Sequence, residues 1–508
     1  MKRYWLFAIF AFLCLAAAAV WMGALNQDEG WYLYAANMVA DGKMPFRDFQ
    51  YTQGPLMPYI YSHFAWVWNS FGLLGARIFT LLLGVASIVF FAATAAKLAS
   101  ADGDDSSERR GKSALITIFL LGCNLYHLYY LAIPKTYALA SFFVSLGFWL
   151  LVGTKRNLAA SGSAQDGLPR HRESAAVAFA GLALAFAAGT RISLGAILCV
   201  VGCTLLFRRE WRKLVWFCVG GFGGLALTYG PFFLDANAFN GLVAAQQYHA
   251  ARGGFDPVFT VGSLSRLVRW YLPLFIILGL GLRNLKHHTF SLFLFTFSFV
   301  AVFLVQMLAP FPYEDYQVPI MGLLAVVAAV GFVRVGDDQD KGQKTADKGP
   351  GLLLTFGLAY ACAFGSPLLE SWMTNGQDRF WSIKKAKTEL AQLRDVAETI
   401  EALDPDGKTL LTQDLYLAIE TGRKVPEGLE MGPFAMLTDA EWKKLLNECE
   451  CEIAALSGYT FAIDPPRCDE RPIDKQMEYW NILKRRYEFV VREDDFGQNA
   501  TSLLILKR

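Results

Sequence analysis

The chain reads Asn26-Gln-Asp-Glu-Gly-Trp-Tyr-Leu-Tyr34 directly after an apolar segment, Tyr4–Leu25, and this junction decides how it is interpreted. The apolar segment is about as long as a helix must be to cross a bilayer. The adjacent acids Asp28 and Glu29 therefore lie where that segment leaves the membrane. Charged side chains are costly at such a position and mark candidate functional sites. The loop that starts here, residues 26–72, is therefore the first candidate for a functional site.

The composition indicates a membrane protein with two unlike parts. Of 508 residues, 54% are hydrophobic and 18% are charged, which is too apolar for an ordinary soluble protein. Residues 1–369 contain 28 Lys and Arg against 19 Asp and Glu, whereas residues 370–508 contain 19 against 26. We therefore predict a basic transmembrane domain (1–369) and an acidic soluble domain (370–508). No basic tract interleaved with aromatics suggests that nucleic acid is a partner.

Hydropathy predicts a polytopic α-helical protein, with Tyr4–Leu25 as an uncleaved signal-anchor because it is longer than the apolar core of a signal peptide. We expect about 11 spans. They are residues 4–25, 73–99, 114–133, 136–153, 174–190, 192–207, 214–234, 270–283, 289–309, 317–334 and 351–369.

The positive-inside rule predicts the orientation of these spans. With a cytoplasmic N-terminus, 20 of the 28 cations in the transmembrane domain lie on the inner side. An odd number of spans then places the C-terminal domain outside, so we expect a multi-pass protein of the cell (inner) membrane with a periplasmic or equivalent extracytoplasmic domain. The spans carry almost no charge in their central turns, which argues against an ion-coupled transporter.

Two of the eight outer cations are candidates for anion binding. Lys135 and Arg191 are each the only cation in a tight outer turn, Ile133-Pro-Lys-Thr136 and Gly189-Thr-Arg-Ile-Ser193. If the two turns lie side by side, both side chains can reach one phosphate. About half of the outer cations are explained without a ligand, because Lys and Arg at span ends extend to the headgroup level.

The loop of residues 26–72 resembles that of a known enzyme superfamily. Asp28-Glu29-Gly-Trp-Tyr32 and Gln53-Gly-Pro-Leu56, placed after the first span and followed by aromatics, resemble the pattern of GT-C glycosyltransferases. Within that superfamily the loop resembles those of protein O-mannosyltransferases, lipid A aminoarabinose transferases and related bacterial enzymes. The plan of the whole chain is similar too, with many spans, a long first outer loop and a C-terminal outer domain. The resemblance implies inverting transfer of a sugar from a polyprenyl-phosphate donor to a hydroxyl of a protein, lipid or glycan acceptor.

The residue types suit that chemistry. A carboxylate within hydrogen-bond reach can take the proton of the acceptor hydroxyl, especially if a partly dry cavity raises its pKa, and we expect Asp28 to be this base. Glu29 is the second catalytic candidate, and it can also position the acceptor, hold a cation or cap the next helix. Fixed cations stabilise the phosphate as it leaves, and Arg binds phosphate bidentately. The donor-phosphate candidates are Lys135, Arg191, Arg252 and Arg77. The substrate-binding candidates are Tyr32, Asp48, Gln53, His249, Tyr313 and Tyr316.

The sequence departs from the aminoarabinose transferases at positions that bear on a metal. Trp31 stands where they have Arg, and Thr52 and Gln53 stand where they have Glu-Lys. The resemblance associates that Glu with a bound metal, and this chain lacks it. We therefore assign no cofactor, and Asp48 is the candidate that could replace the Glu as a ligand of a divalent metal. No cluster of His, Cys and carboxylates has convincing ligand spacing.

The C-terminal domain is expected to be a small α/β unit. Helical periodicity covers Lys384–Leu403 and Thr438–Cys449, the latter opened by a Thr438-Asp-Ala-Glu441 capping box. Strands are predicted at residues 408–412, 452–456, 487–491 and 502–506. Cys468 can form a disulfide with Cys449 or Cys451 in an oxidising compartment, and the two pairings stay open.

Two other functions remain as alternatives. A multispan transporter or lipid flippase would move its substrate without covalent change, and we find no internal repeat of the kind that such proteins carry. A non-catalytic membrane anchor would present the C-terminal domain as a binding module. In that case the loop of residues 26–72 would tolerate substitution, whereas the C-terminal domain would not.

Overall fold

The structure, a computed structural model, describes most of the chain. The described residues are 2–99, 107–153, 170–251, 256–282, 289–309, 311–340, 357, 386–457, 473–497 and 501–508. The predicted boundary between the two domains, at residues 369 and 370, lies outside them and stays a prediction.

Helices dominate the N-terminal part of the chain. They are α1 (Lys2–Trp21), α2 (Gln27–Ala40), α3 (Leu56–Ser62), α4 (Ala65–Ala99), α5 (Ser107–Gly122), α6 (Leu125–Ala132), α7 (Thr136–Gly153), α8 (Arg170–Thr190), α9 (Gly195–Phe207), α10 (Trp211–Phe233), α11 (Ala236–Ala251), α12 (Pro257–Trp270), α13 (Leu272–Leu282), α14 (Thr289–Met307) and α15 (Val318–Asp340). Short 3-10 segments, Ile192–Leu194 and Glu314–Gln317, precede α9 and α15.

Six of these helices are long and apolar enough to cross a membrane, and up to eight spans result if two bent pairs count as one span each. The bent pairs are α5 with α6, at 71°, and α12 with α13, at 76°. Two shorter apolar helices cover residues 192–207 and 292–307. Every predicted span except 351–369 overlaps one of these helices. Since that segment lies outside the described residues, the number of eleven spans stays a prediction.

The amphipathic pattern of Tyr32–Val39 predicts a short helix in the membrane interface, and helix α2 differs from that prediction. It begins five residues earlier, at Gln27, and ten of its 14 residues are buried. An interfacial helix would expose one face to water or headgroups, whereas α2 is enclosed between the transmembrane helices and the C-terminal domain. The prediction was wrong because the sequence does not show that a distant domain covers the helix. A second interfacial helix is predicted over Pro55–Trp68, but the structure divides this segment in two, since α3 ends at Ser62 and α4 starts at Ala65.

The C-terminal domain combines helices with one small sheet. Its helices are α16 (Glu389–Leu403), α17 (Leu415–Glu420), α18 (Asp439–Glu448) and α19 (Ile473–Leu483), with a 3-10 turn at Gly432–Phe434. Strands β1 (Ile453–Ser457), β2 (Glu488–Phe496) and β3 (Thr501–Lys507) form an antiparallel sheet in the order β1-β3-β2. Ile505 of the central strand pairs with Ala455 on one side and Val491 on the other.

Most sequence predictions for this domain are confirmed. The capping box opens α18 through Thr438 and Glu441, and three predicted strands are present. The predicted strand 408–412 makes only isolated bridges, at Thr409 and Leu411. Helices α17 and α19 were not predicted. Cys449 and Cys451 are free thiols among the described residues, and the predicted disulfide to Cys468 is untested because Cys468 lies outside them.

Candidate active site

The first turn of α2 fixes the Asp28 carboxylate. Asn26 caps the helix by accepting the Asp28 N–H at 3.1 Å, and Glu29 closes a capping box by accepting the Asn26 N–H at 2.8 Å. One turn on, Trp31 Nε1 donates to Asp28 Oδ1 at 3.0 Å. The side chain of Asp28 remains 26% exposed, so its second oxygen is available to other groups.

Lys135 meets Asp28 from the turn between α6 and α7. Its ammonium lies 2.7 Å from Asp28 Oδ2 and 3.4 Å from Oδ2 of Asp315, in the 3-10 segment before α15. Tyr137 donates to the same Asp315 oxygen at 2.8 Å. Pro134 precedes the lysine and fixes the backbone of the turn. A buried cation thus lies between two carboxylates that come from distant parts of the chain.

This arrangement acts on the pKa of Asp28 in two directions. Burial disfavours the charged carboxylate, but the Lys135 ammonium and the hydrogen bonds from Lys135 and Trp31 outweigh it and lower the pKa. The raised pKa that would favour a general base is therefore not found while Lys135 contacts Asp28. Asp28 is ionised at neutral pH in this state, and its strength as a base is limited for as long as Lys135 holds it.

Arg191 lies beside the same cluster. Its guanidinium stacks at 4.8 Å on the ring of Tyr137 and at 4.7 Å on that of Tyr316, and Nη1 donates to Thr136 Oγ1 at 3.1 Å. Thr136 directly follows Lys135, so the two cation-bearing turns do lie side by side. The Arg191 Nε is buried without a hydrogen-bond partner among the described residues. The side chain is therefore held rigidly and keeps a donor for a ligand.

Aromatic residues complete the cluster. Tyr32 stacks on Trp31, the donor to Asp28, with ring centroids 3.7 Å apart. Tyr316 contacts Arg191, whereas Tyr313 is exposed and meets the edge of Tyr316 at 5.7 Å. Of the substrate-binding candidates, Tyr32 and Tyr316 thus belong to the Asp28–Lys135–Arg191 cluster, and Tyr313 lies at its periphery.

Glu29 and Arg77 are brought together as a buried ion pair. Both side chains are fully buried, and Arg77 Nε and Nη2 donate to the Glu29 carboxylate at 2.7 and 2.6 Å. The remaining guanidinium donors go to the carbonyls of Val20, Gly23 and Ala24. Since a guanidinium has five N–H donors, Arg77 has none left for a phosphate. In this structure the pair joins the start of α2 to α1 and α4.

The other candidate residues do not contact the Asp28–Lys135–Arg191 cluster in any described contact, or lie outside the described residues. Asp48 is bound by Arg47 at 2.8 Å and by the Met44 N–H at 2.7 Å. Gln53 precedes Gly54, where a Cβ would clash with the Gly189 carbonyl, so this turn packs against the Arg191 turn. His249 lies in α11, but its side chain is not among the described ones. Arg252 lies outside the described residues.

The described residues do not fit a resident metal. No group of three His, Cys, Asp or Glu side chains converges within the described part of the chain. The Asp48 carboxylate, the possible replacement ligand, is neutralised by Arg47. Lys135 occupies the position between Asp28 and Asp315 that a cation would take. We therefore derive no step that involves a metal.

Asp315, Tyr137 and Thr136 are site residues that the sequence did not single out. In the sequence, Asp315 is one of eight acids that the predicted orientation places outside, within the Pro-rich turn of residues 309–319. Asp315 and Lys135 are 180 residues apart in the sequence, and no local pattern predicts their contact. Glu314 beside it accepts from Arg266 Nε at 2.9 Å, which fixes the segment that carries Asp315 and Tyr316.

Comparisons with known proteins agree with this architecture. No protein-family profile and no curated protein sequence matches the chain. Among solved structures, ArnT from Cupriavidus metallidurans in the apo state aligns with a TM-score of 0.61 and 14% identity, over 99% of this chain and 98% of that one. The same protein bound to undecaprenyl phosphate gives 0.60 and 13%, over 99% and 97%. The archaeal oligosaccharyltransferase AglB from Archaeoglobus fulgidus, in complex with an inhibitory peptide and a dolichol-phosphate, gives 0.52 and 12%, over 99% and 74%. The chain therefore has the GT-C fold that these membrane glycosyltransferases share, as the sequence predicted.

Proposed function

We propose that this chain is a glycosyltransferase that moves a sugar from a polyprenyl-phosphate donor to a hydroxyl acceptor. The observation that carries the proposal is the contact of the Asp28 carboxylate with Lys135, beside Arg191, in a chain with the GT-C fold. Support for the donor class comes from ArnT bound to undecaprenyl phosphate and AglB bound to a dolichol-phosphate. The acceptor is a lipid, a glycan or a protein.

In the proposed reaction Asp28 acts as the general base. The acceptor hydroxyl gives its proton to the Asp28 carboxylate, and its oxygen forms a bond to the anomeric carbon as the bond from that carbon to the phosphate oxygen breaks. Polyprenyl phosphate leaves with the bonding electrons. Attack from the face opposite the leaving group inverts the configuration of the sugar.

Lys135 and Arg191 stabilise the charge that develops on the phosphate. They are fixed before the reaction, Lys135 by Asp315 and Arg191 by its stacking between Tyr137 and Tyr316. Preorganised cations of this kind need no rearrangement in the transition state. Arg191 adds directional donors, since its Nε has no hydrogen-bond partner among the described residues.

Donor binding also activates the base. A phosphate that contacts Lys135 competes with Asp28 for the ammonium, which weakens the interaction that lowers the pKa of Asp28. The carboxylate then becomes a stronger base when the donor is present. Proton transfer is thereby coupled to occupation of the donor site.

In this proposal the reaction takes place at the outer face of the cell (inner) membrane. The distribution of cations predicts a cytoplasmic N-terminus, so that the loop of residues 26–72, the Lys135 and Arg191 turns and the C-terminal domain share the extracytoplasmic side. The contacts among Asp28, Lys135, Arg191 and Asp315 support a common side for these segments.

The test is transfer from a lipid-linked sugar donor by membranes that contain Asp28→Asn. We expect a loss of about 100-fold or more, since a positioned base contributes roughly that factor. The matched control is Asp256→Asn, because Asp256 caps α12 and Asn is an equally good cap. Transfer at the wild-type rate by Asp28→Asn would refute the assignment of the base. Mass spectrometry of glycans from a strain that lacks the gene would identify the sugar and acceptor.

A further inference from the structure

A carboxylate of the C-terminal domain holds the start of α2. Glu389, the first residue of α16 and almost fully buried, accepts the N–H of Leu25. The next amide, that of Asn26, goes to Glu29, and the Asp28 amide goes to Asn26. The backbone N–H groups that lead into the helix thus each have a side-chain acceptor, and the acceptor of the first one comes from the C-terminal domain. A negative charge near a helix N-terminus also stabilises the helix.

A second carboxylate holds the helix that carries Arg77. Glu420, at the end of α17, accepts the Leu73 N–H at 2.8 Å. Leu73 follows Gly72, where α4 bends at a left-handed backbone with φ of 62°. Arg77 lies one turn further along and binds Glu29 of α2. Both partners of the buried pair are therefore held in place by acids of the C-terminal domain.

Helix α17 contacts α2 too closely for a side chain between them. At Gly30, a Cβ would clash with the backbone of Leu415 and Tyr416. The contact continues along α2, where the Tyr34 hydroxyl accepts the Val425 N–H at 3.1 Å. The C-terminal domain thus holds α2 just before its start, in its first turn and in its middle.

We infer that the C-terminal domain positions the catalytic helix α2, and that Glu389 is the positioning residue at its start. The inference rests on the proposed function, because it concerns the alignment of the proposed base. Asp28 lies three residues after Leu25, so a shift of that amide moves the carboxylate relative to Lys135. Displacements of about 1 Å at a reacting group cost roughly 100-fold in rate.

The experiment compares Glu389→Ala, Glu389→Gln and Glu401→Ala in the full-length protein. Glu401 is the matched control, since it lies on the same helix and is exposed. Two readouts are measured, hydrogen exchange of residues 26–40 and the kinetics of transfer. Glu389→Ala leaves a buried N–H without an acceptor, so we expect exchange to rise about tenfold. We expect kcat to fall about tenfold with the donor KM unchanged. Glu389→Gln keeps an acceptor oxygen, so we expect its hydrogen exchange and its kcat to be close to those of the wild type. Glu401→Ala should change neither hydrogen exchange nor kcat.

A double variant separates positioning from general destabilisation. If Glu389 acts through Asp28, Glu389→Ala causes no further loss of transfer in the Asp28→Asn background. Unchanged exchange in Glu389→Ala, or a full additional loss in the double variant, would overturn the inference. If Glu389→Ala does not fold, Tyr34→Phe is measured instead, since it removes only the contact to Val425. Unchanged hydrogen exchange of residues 26–40 in Tyr34→Phe would likewise overturn the inference. Exchange needs no substrate, so a wild-type protein without transfer would contradict the proposed function alone.

Discussion

The Asp28 carboxylate and the Lys135 ammonium lie 2.7 Å apart, although they belong to different loops of the sequence. The proposed base and a proposed phosphate ligand are therefore partners of each other in the absence of substrate. Neither group can be altered without an effect on the other. A substitution at either residue is therefore expected to change both donor binding and the strength of the base.

The two phosphate-binding candidates should differ in what a substitution removes. Arg191→Lys keeps the charge but loses the planar fork and the stacking on Tyr137 and Tyr316. We expect the donor KM to rise about tenfold, which corresponds to the roughly 1.5 kcal/mol of one charge-assisted hydrogen bond. Steady-state kinetics with varied lipid-linked donor measure this change. Arg47→Ala, an exposed cation bound to Asp48, is the control and should leave KM unchanged. An unaltered KM for Arg191→Lys would remove Arg191 from the donor site.

The pH dependence of transfer should depend on Lys135. In the wild type, burial alone would raise the pKa of Asp28, but Lys135 and Trp31 lower it. The acid limb of kcat/KM, which reports groups of the free enzyme, should therefore lie below the usual range of a carboxyl group. Lys135→Met removes the ammonium and leaves the burial, so we expect the acid limb to move to higher pH. Rate profiles of the two proteins from about pH 4 to about pH 8 test this prediction. A limb at the same pH in both would show that another group controls it.

The positions of the acids and cations were readable from the sequence, but their pairing was not. Asp28, Lys135 and Arg191 were found because each charge lies at a span end, where charge is costly. Arg77 satisfied the same criterion, yet its five donors are bound within the protein. A pattern of single charges does not distinguish a cation that awaits a ligand from one that already has a buried partner.

Arg77 and Glu29 should affect stability rather than donor affinity. Removal of one partner from a buried ion pair costs about 3–5 kcal/mol, because the other charge remains buried and unpaired. We expect Arg77→Met to lower the thermal midpoint and the yield of folded protein strongly. The double variant Arg77→Met with Glu29→Gln should recover part of the loss, since it leaves no buried charge. Thermal unfolding of the detergent-solubilised proteins measures both effects. Normal stability of Arg77→Met together with a raised donor KM would instead favour a role in phosphate binding.

The role of the C-terminal domain illustrates what sequence periodicity leaves out. Three of its strands and the capping box of α18 follow from local patterns. The contact between Gly30 and α17 follows from none, because it depends on how two separately patterned parts pack. Helix α2 was interpreted as interfacial for the same reason. Its aromatics suit a headgroup layer equally well as a covering domain.

Asp414 should make the stability of the C-terminal domain depend on pH. Its side chain is almost fully buried, and burial raises its pKa to about 6, despite the hydrogen bond from the Tyr416 hydroxyl. Because the folded state favours the protonated form, the stabilisation is fully present below the pKa of the unfolded chain, about 3.9, and is lost as pH rises through about 6. The shift of about two pH units corresponds to roughly 3 kcal/mol.

Asp414→Asn tests this prediction, since the amide is neutral at every pH and keeps an oxygen for the Tyr416 hydroxyl. Relative to the wild type, we expect the variant to gain stability between about pH 4 and about pH 7.5, by up to about 3 kcal/mol. Thermal unfolding of the full-length protein at both pH values provides the comparison, with the exposed Asp406→Asn as control. If the difference between Asp414→Asn and the wild type is the same at both pH values, Asp414 does not titrate in this window. The buried carboxyl would then have to be stabilised in its charged form by groups other than Tyr416.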